Sequence, residues 1–332
     1  MVEVTGDVPG DVTVGAAAHG AVAAAADIAA AVPADGPVDS QRSDRVGLGW
    51  RGELAAGIFA HLDHIDLLEV IADDHYRASP KELRALRTLS AQVPLTLHGV
   101  AMGLASTIPV TARHTDGMAR LLDALQPQSW SEHLAFVRAG GIEIGHLAEP
   151  PRTAQSVAAA IANVERATKA TGAAPLLENI ATLIAPPAST LDEAEWISQI
   201  VAGSGAGLLL DLHNLYANAV NFGDAPERLL SRLPLHRVRA VHLSGGKWIP
   251  EPGSGSNGRK RLLDDHVHDV PDAVYALLAS LAQQAPQPLD VVIERDGEYP
   301  EFDSLLQQLD RARAALARGR NAACRKPLRA AA

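Results

Sequence analysis

The chain has 332 residues, room for one barrel of about 250 residues with flanking arms or for two smaller domains. Hydrophobic residues make up 47% of it and aromatic ones only 4%, so alanine, leucine and valine must carry the packing. A formal net charge of −10 argues against a nucleic-acid binder, and the single cysteine, Cys324, excludes a disulfide framework or a cysteine-built zinc site within one chain. A reducing cytoplasm suits this composition.

Residues 14–32 are almost all small and apolar. They lack the basic leading region of a signal peptide, since Glu3, Asp7 and Asp11 precede them. They are mostly Ala and Gly with His19 and Asp27 inside, a poor membrane span. We expect residues 1–42 to form an acidic, Ala/Gly-rich disordered arm and the protein to have no membrane segment. From there on, eight apolar segments recur, at 46–50, 65–72, 94–99, 129–134, 175–180, 207–214, 238–246 and 289–296.

Helical patterns fill the gaps between them. Residues 79–90 open with Ser79 and Pro80, a cap and first-turn pair, and space Leu83, Leu86 and Leu89 helically. Residues 153–171 stop at Gly172, and 190–202 open at Thr190 with the pattern of a capping box and stop at Gly203. The patterns at 270–284 and 301–317 are the last two. Alternation of strand and helix implies parallel strands with crossover helices, and wholly apolar runs such as 207–210 imply strands buried on both faces. The expected fold is a (β/α)8 TIM barrel of the xylose-isomerase type over 43–318, followed by a basic flexible tail at 319–332. The rival doubly wound sheet needs a glycine-rich phosphate turn, of which Gly47-Leu48-Gly49-Trp50 is a poor version.

In such a barrel the C-terminal strand ends meet on one rim. The apolar segments end in Glu69, His98, Glu132 with His133, Glu178 with Asn179, Asp211 with His213 and Asn214, His242, and Glu294 with Asp296. Neighbours in a strand point to opposite faces, so Glu132 and His133 can both face the axis only if the rim twists or bulges, whereas Asp211 and His213 share a face. Crowding several carboxylates without a cation would cost several kcal/mol. Mixed imidazole and carboxylate ligation without cysteine suits iron, manganese or zinc. An acid/base pair acting on a sugar is the alternative without metal. The longest strand-to-helix connection, 244–270, holds a Gly/Ser-rich run, then Arg259, Lys260 and Arg261, then Asp264, His266 and His268, a candidate lid or substrate clamp.

Eight strings, taken together and in order, resemble one family. They are Val46-Gly-Leu-Gly, Leu68-Glu-Val-Ile-Ala-Asp-Asp, Leu97-His-Gly-Val-Ala-Met-Gly-Leu-Ala-Ser, Ser131-Glu-His-Leu, Leu177-Glu-Asn-Ile, Leu209-Leu-Asp-Leu-His-Asn-Leu-Tyr, Val241-His-Leu-Ser-Gly-Gly and Asp264-Asp-His-Val-His-Asp-Val-Pro-Asp. The family is that of the multinuclear non-heme iron-dependent oxidative enzymes, long known as domain of unknown function 692. The resemblance implies a TIM barrel that holds two to three irons of mixed Fe(II)/Fe(III) state. With O2 as co-substrate, it would oxidise a ribosomally made precursor peptide, commonly at a cysteine, with a small partner protein delivering the peptide. It implies a ligand pool of His98, Glu132, His133, Glu178, Asp211, His242, Asp264, His266 and Glu294. Glu69, Asp74, Asn179, His213, Asn214, Arg259 and Arg261 are the expected substrate-side residues. Relatives usually carry Glu-Asn-Tyr after the second strand, where Asp73-Asp74-His75-Tyr76 stands here, and His213 stands where many have Asn. A metal-dependent hydrolase or isomerase barrel, of the endonuclease IV or xylose isomerase kind, shares the fold and ligand types and is the competing expectation.

Overall fold

A computed structural model describes residues 43–139, 142–251 and 258–325; the expected N-terminal arm and residues 252–257 lie outside the described residues. Strands β1 (Arg45–Gly49), β2 (Leu68–Ile71), β3 (Leu95–Gly99) and β4 (Trp130–His133) lead into a hairpin, β5 (Phe136–Ala139) and β6 (Ile142–Ala148). Then come β7 (Leu176–Glu178), β8 (Gly207–Asp211) and β9 (Val238–Leu243). A second hairpin, β10 (Gly246–Pro250) and β11 (Lys260–Asp264), precedes β12 (Asp290–Ile293). Eight strands close a barrel in the order β1-β12-β9-β8-β7-β4-β3-β2, every pairing parallel. The expected (β/α)8 barrel is what the chain forms. Both hairpins are additions on the C-terminal rim, and the 244–270 connection, expected as a candidate lid or substrate clamp, carries the paired strands β10 and β11.

Helices α1 (Ala55–Ala60), α2 (Pro80–Ser90), α3 (Ala112–Leu125), α4 (Ala154–Thr171) and α5 (Glu193–Ser204) alternate with the early strands. Helices α6 (Leu212–Phe222), α7 (Pro226–Arg232), α8 (Asp272–Gln284) and α9 (Phe302–Arg325) complete the ring. Local chemistry sets their starts. Ser79 and Glu82 form a reciprocal capping box on α2, satisfying two otherwise orphaned backbone donors. On α5 the cap is Asp192 with Glu195, two residues later than Thr190, whose own acidic residue three positions on, Glu193, is buried and accepts from Asn218 instead.

Leu48, Leu97, Leu177, Leu210, Leu243 and Val291 are buried in the strands, and Ile58, Met118, Leu121, Ile200 and Leu278 in the surrounding helices. Each such side chain contributes roughly 1.5–3 kcal/mol by leaving water. Trp130 is 2% exposed and its indole N–H donates to the Ala173 carbonyl at 3.0 Å. Trp130→Ala would remove both contacts, at about 3–5 kcal/mol.

The C-terminal boundary differs from the expected one. Helix α9 continues to Arg325, well past 318, because Arg320 forks onto Asp44 (Nε to Oδ2 2.9 Å, Nη2 to Oδ1 2.6 Å) and also donates to the Gln287 carbonyl. Asp44 in turn accepts from the Leu289 backbone N–H, so the end of α9 ties the chain segments entering β1 and β12. Residues 326–332 lie outside the described residues.

Candidate metal centre

Alternation along the strands decides which rim residues face the axis. In β4, Ser131 and His133 point inward and Trp130 and Glu132 outward, with no bulge to bring both rim neighbours in. Parallel register sets His133 opposite Glu178 and Asp211 opposite His242. Seven of the eight barrel strands thereby send Glu69, His98, His133, Glu178, Asp211, His242 and Glu294 to one point, β1 alone sending none.

Their donor atoms fall into three overlapping groups, each with all atoms within 4.8 Å: Glu69 with His98 and His242; His98 with His133 and Glu178; and Glu178 with Asp211, His242 and Glu294. His242 Nε2 lies 2.8 Å from Glu69 Oε1, while its Nδ1 lies 3.1 Å from Glu294 Oε2 and 3.2 Å from Glu178 Oε1. Nε2 of His98 and of His133 each stand 3.3 Å from Glu178 Oε2. Ligands bound at about 2.0–2.2 Å around one cation stand about 3 Å apart, so these separations fit a metal between them. Orientation supports the same fit: Glu178 Oε2, Asp211 Oδ2, His242 Nε2, His266 Nε2 and Glu294 Oε2 are buried without a hydrogen-bond partner despite their close neighbours. Lone pairs converge here instead of meeting N–H groups. His98 is set up for this, because Ser131 Oγ donates to the Leu97 carbonyl and sits 2.8 Å from His98 Nδ1, leaving Nε2 free to ligate.

The buried carboxyls and imidazoles of the centre shift one another strongly. Burial alone would raise Glu178 and Glu294, yet the surrounding imidazoles hold both carboxyls below their usual range. Burial and repulsion from Asp264 and Glu178 drive Asp211 well up. Burial and the neighbouring His98 push His133 down to about 4, against the pull of Glu178. For His242, Glu294, Glu69 and Glu178 overcome burial and raise it well above an ordinary imidazole.

The late connection adds a fourth side. Asp264 Oδ2 is 2.9 Å from His266 Nε2, and Asp264 Oδ1 is 2.7 Å from His213 Nδ1. His266 Nδ1 lies 3.5 Å from Glu294 Oε2, so Asp264 and His266 close over the group containing Asp211. His213 sits on the first turn of α6, beyond the end of β8, because the Asp211 carboxylate accepts the Asn214 N–H at 2.6 Å and starts a helix there. The expected strand pairing of Asp211 and His213 on one face is therefore replaced by a cap, with His213 reaching Asp264.

Several expected residues stand elsewhere. Glu132 lies outside all three groups, fully buried beside Gly99, with Asp73 nearby; burial and Asp73 raise its pKa well above the usual range. Asp74 is exposed on the turn Asp73–His75, lining a separate outer pocket with Arg77 and Arg113, and it is Asp73 that points back, accepting the Val100 N–H at 2.8 Å. Asn179 is occupied by the Asp211 backbone, its amide exchanging two hydrogen bonds with it as a strand would. Asn214 donates to the Asn179 carbonyl and turns its own oxygen toward the cleft. Arg261 is consumed by Glu251, the Asn221 carbonyl and the Phe222 ring, so it braces the hairpin instead of facing a ligand. Arg259 is exposed and also near Glu251. His268 bonds Asp265, away from the centre.

A cleft of about 460 Å³ opens directly onto the centre. Its walls are Leu147, Ile180, Leu183, Ile184, Pro186 and Pro187, and its floor includes His133, Asp264 and His266. Apolar walls above a polar floor fit an organic ligand presented to a metal.

A profile described as RiPP precursor modification enzyme MbnB/TglH/ChrH matches residues 45–317. The chain belongs to that family. Relatives include a UPF0276 protein of Caulobacter vibrioides, 35% identical over 255 residues and covering 76% of this chain and 88% of that one. A UPF0276 protein of Bordetella bronchiseptica is 33% identical over 276 residues, covering 83% and 93%. Among solved structures, the chain resembles an L-ribulose 3-epimerase, with a TM-score of 0.53 at 17% identity over 87% of this chain and 100% of that one. It also resembles a xylose isomerase domain protein from Alicyclobacillus acidocaldarius, with a TM-score of 0.52 at 15% identity, covering 84% and 99%. These two likenesses show the xylose-isomerase-like barrel alone. Within this MbnB/TglH/ChrH chain, the sequence reading missed Arg51, Ser131 and Asp73 around the centre. Arg51 carried a signal, since it directly follows the first apolar segment at the rim.

Proposed function

We propose that this protein is a multinuclear, non-heme iron- and O2-dependent oxidase that modifies a cysteine of a ribosomally synthesised precursor peptide in the cytoplasm, with a small partner protein delivering the peptide. One observation carries the reading. Three overlapping ligand groups share His98, Glu178 and His242, the arrangement that lets two or three metals sit side by side, and an apolar cleft ends on them. All-nitrogen and oxygen ligation suits iron and leaves room for a soft thiolate from outside. Bound iron supplies one-electron exchange with O2 and a Lewis-acidic seat for that thiolate.

The chain's own groups do the rest. The cleft walls bind the peptide and exclude water around the reacting residue. Glu178 and Glu294, held ionised by imidazoles, are ready ligands, whereas Asp211, raised by burial, gives up a proton when a cation arrives, so metal uptake weakens as pH falls. No protein nucleophile is required, and Cys324 is exposed near the end of α9. No helix among the described residues is long and apolar enough to cross a membrane.

The test is anaerobic reconstitution with Fe(II), elemental analysis, Mössbauer spectroscopy and incubation with a cysteine-containing peptide encoded beside the gene. Two to three irons per chain and an O2-dependent mass change in the peptide are expected. Stoichiometric zinc that supports turnover without O2 would instead favour the hydrolase or isomerase reading.

A further inference from the structure

Strand β1 is the one barrel strand that sends no donor into the three ligand groups. Immediately after it, Arg51 turns back over the rim. Its Nε donates to Asp296 Oδ1 at 2.9 Å, its Nη2 bonds the same oxygen, and its Nη1 donates to the Trp50 carbonyl at 2.8 Å. The other oxygen of that carboxylate, Asp296 Oδ2, lies 3.2 Å from His266 Nδ1. The same Nδ1 stands at a longer 3.5 Å from Glu294 Oε2, and on the far side of the ring the buried Nε2 faces Asp264 Oδ2 at 2.9 Å.

We infer that Arg51 and Asp296 are positioning residues that clamp the His266 ring from outside and commit its Nε2 to the metal centre. The inference rests on the metal reading proposed above. With Asp296 accepting from Nδ1–H, the imidazole is fixed in the tautomer whose Nε2 carries a lone pair. The backbone is fastened by the same residue: the Asp296 N–H donates to the His266 carbonyl at 2.9 Å, and the His266 N–H donates to the Gly245 carbonyl at 3.1 Å. His266 needs this fastening, because its φ of +54° is left-handed, a region that a side chain with a β-carbon occupies only where its surroundings over-determine it. Gly245 permits the approach, since a β-carbon there would stand 2.3 Å from the His268 carbonyl oxygen.

Stability is a poor reason for this ion pair. The Asp296 side chain is 43% exposed though Arg51 is 15%, and a pair open to water on its acid side contributes modestly to folding. Aim is the better reason. A guanidinium is always charged and planar, and it holds the carboxylate in one orientation where a lysine would let it rotate.

Full-length Asp296→Ala, Asp296→Asn, Arg51→Ala and Arg51→Lys proteins distinguish the two. Each is loaded with Co(II), and affinity is read by chelator competition alongside the visible d–d spectrum and the thermal melt of the metal-free protein. Asp296→Ala should weaken one bound metal by about 10–100-fold and change its spectrum while the metal-free melt barely moves. Asp296→Asn should recover most of the affinity, because its amide oxygen still accepts from Nδ1–H; Arg51→Ala should fall between, and Arg51→Lys should restore only part. Wild-type affinity and spectrum in Asp296→Ala would overturn the inference. If Asp296→Ala does not fold, Arg51→Ala decides by the same two outcomes. A wild-type protein that binds no metal would overturn the metal reading itself, before any variant is compared.

Discussion

Gly99 and Glu132 face each other across β3 and β4 so closely that a β-carbon on Gly99 would stand 2.4 Å from Glu132 Oε2. Gly99→Ala must displace the fully buried Glu132 carboxyl, and should cost about 1–3 kcal/mol in denaturant melts. The same contact fixes Glu132 on the outer side of the barrel. Glu132→Gln should therefore keep the wild-type metal complement, whereas Glu178→Gln, which touches two of the three ligand groups, should lose at least one metal. Elemental analysis of the two variants side by side reads the difference.

A second prediction concerns pH and lies away from the metals. Burial, with repulsion from Glu149, raises the Glu193 carboxyl from 4.5 to about 7, despite Arg152 and a hydrogen bond from Asn218. A raised carboxyl binds its proton more tightly in the folded state, so its contribution is full below pH 4.5 and is lost as pH rises through 7. The shift corresponds to roughly 3 kcal/mol. His133, held down to about 4, tilts stability the other way between pH 4 and 6.5, so the wild-type curve alone is ambiguous. Comparing metal-free Glu193→Gln with wild type isolates the term: the variant's advantage should grow from pH 4.5 and level off above 7. An advantage that shrinks over that range would show the carboxyl is not proton-bound in the fold.

The end of α9 supplies a third. Arg320→Ala leaves Asp44 without its fork and removes a tie to the Gln287 carbonyl, and should destabilise the barrel by about 2–4 kcal/mol. Truncation after Arg318 should do at least as much. A truncated protein with an unchanged melting temperature would return residues 319–325 to the role of a dispensable tail.

Ile184 is 75% exposed on the cleft wall, a large apolar group in water with no packing reason to be there. If the peptide lies in this cleft, Ile184→Asp should raise KM for the peptide about tenfold with kcat and metal content unchanged. An unaltered KM would move the peptide to another surface.

The barrel was legible because buried parallel strands write themselves as apolar runs, and Glu178 or Glu294 at the end of such a run has few other reasons to exist. Glu132 and His133 differ by one residue: period-two alternation puts His133 in and Glu132 out, and only a bulge would reverse that. His213 was misread because a single hydrogen bond from Asn214 to Asp211 turns strand into helix, and sequence spacing does not reveal where that happens. The β5–β6 hairpin left a trace in the alternation of Ile142, Glu143 and Ile144, but its exposed faces gave no apolar run to find. Asp74 was named from the second-strand motif and Arg261 for its charge, and the structure shows the first exposed and the second paired with Glu251.

Asp211 carries two duties on its two oxygens. Oδ1 caps α6 through Asn214, and Oδ2 is left bare toward the cluster. The helix so capped carries His213, which holds Asp264, which approaches His266. Removing the carboxylate outright thus frays scaffold and candidate ligand shell together, and loss of metal binding in such a variant says nothing about which failed. Asparagine keeps the capping oxygen and discards the charge. At this position, then, drift toward Asn keeps the start of α6 whole while weakening the one ligand group that contains residue 211, a route by which a lineage could change the chemistry and retain the container.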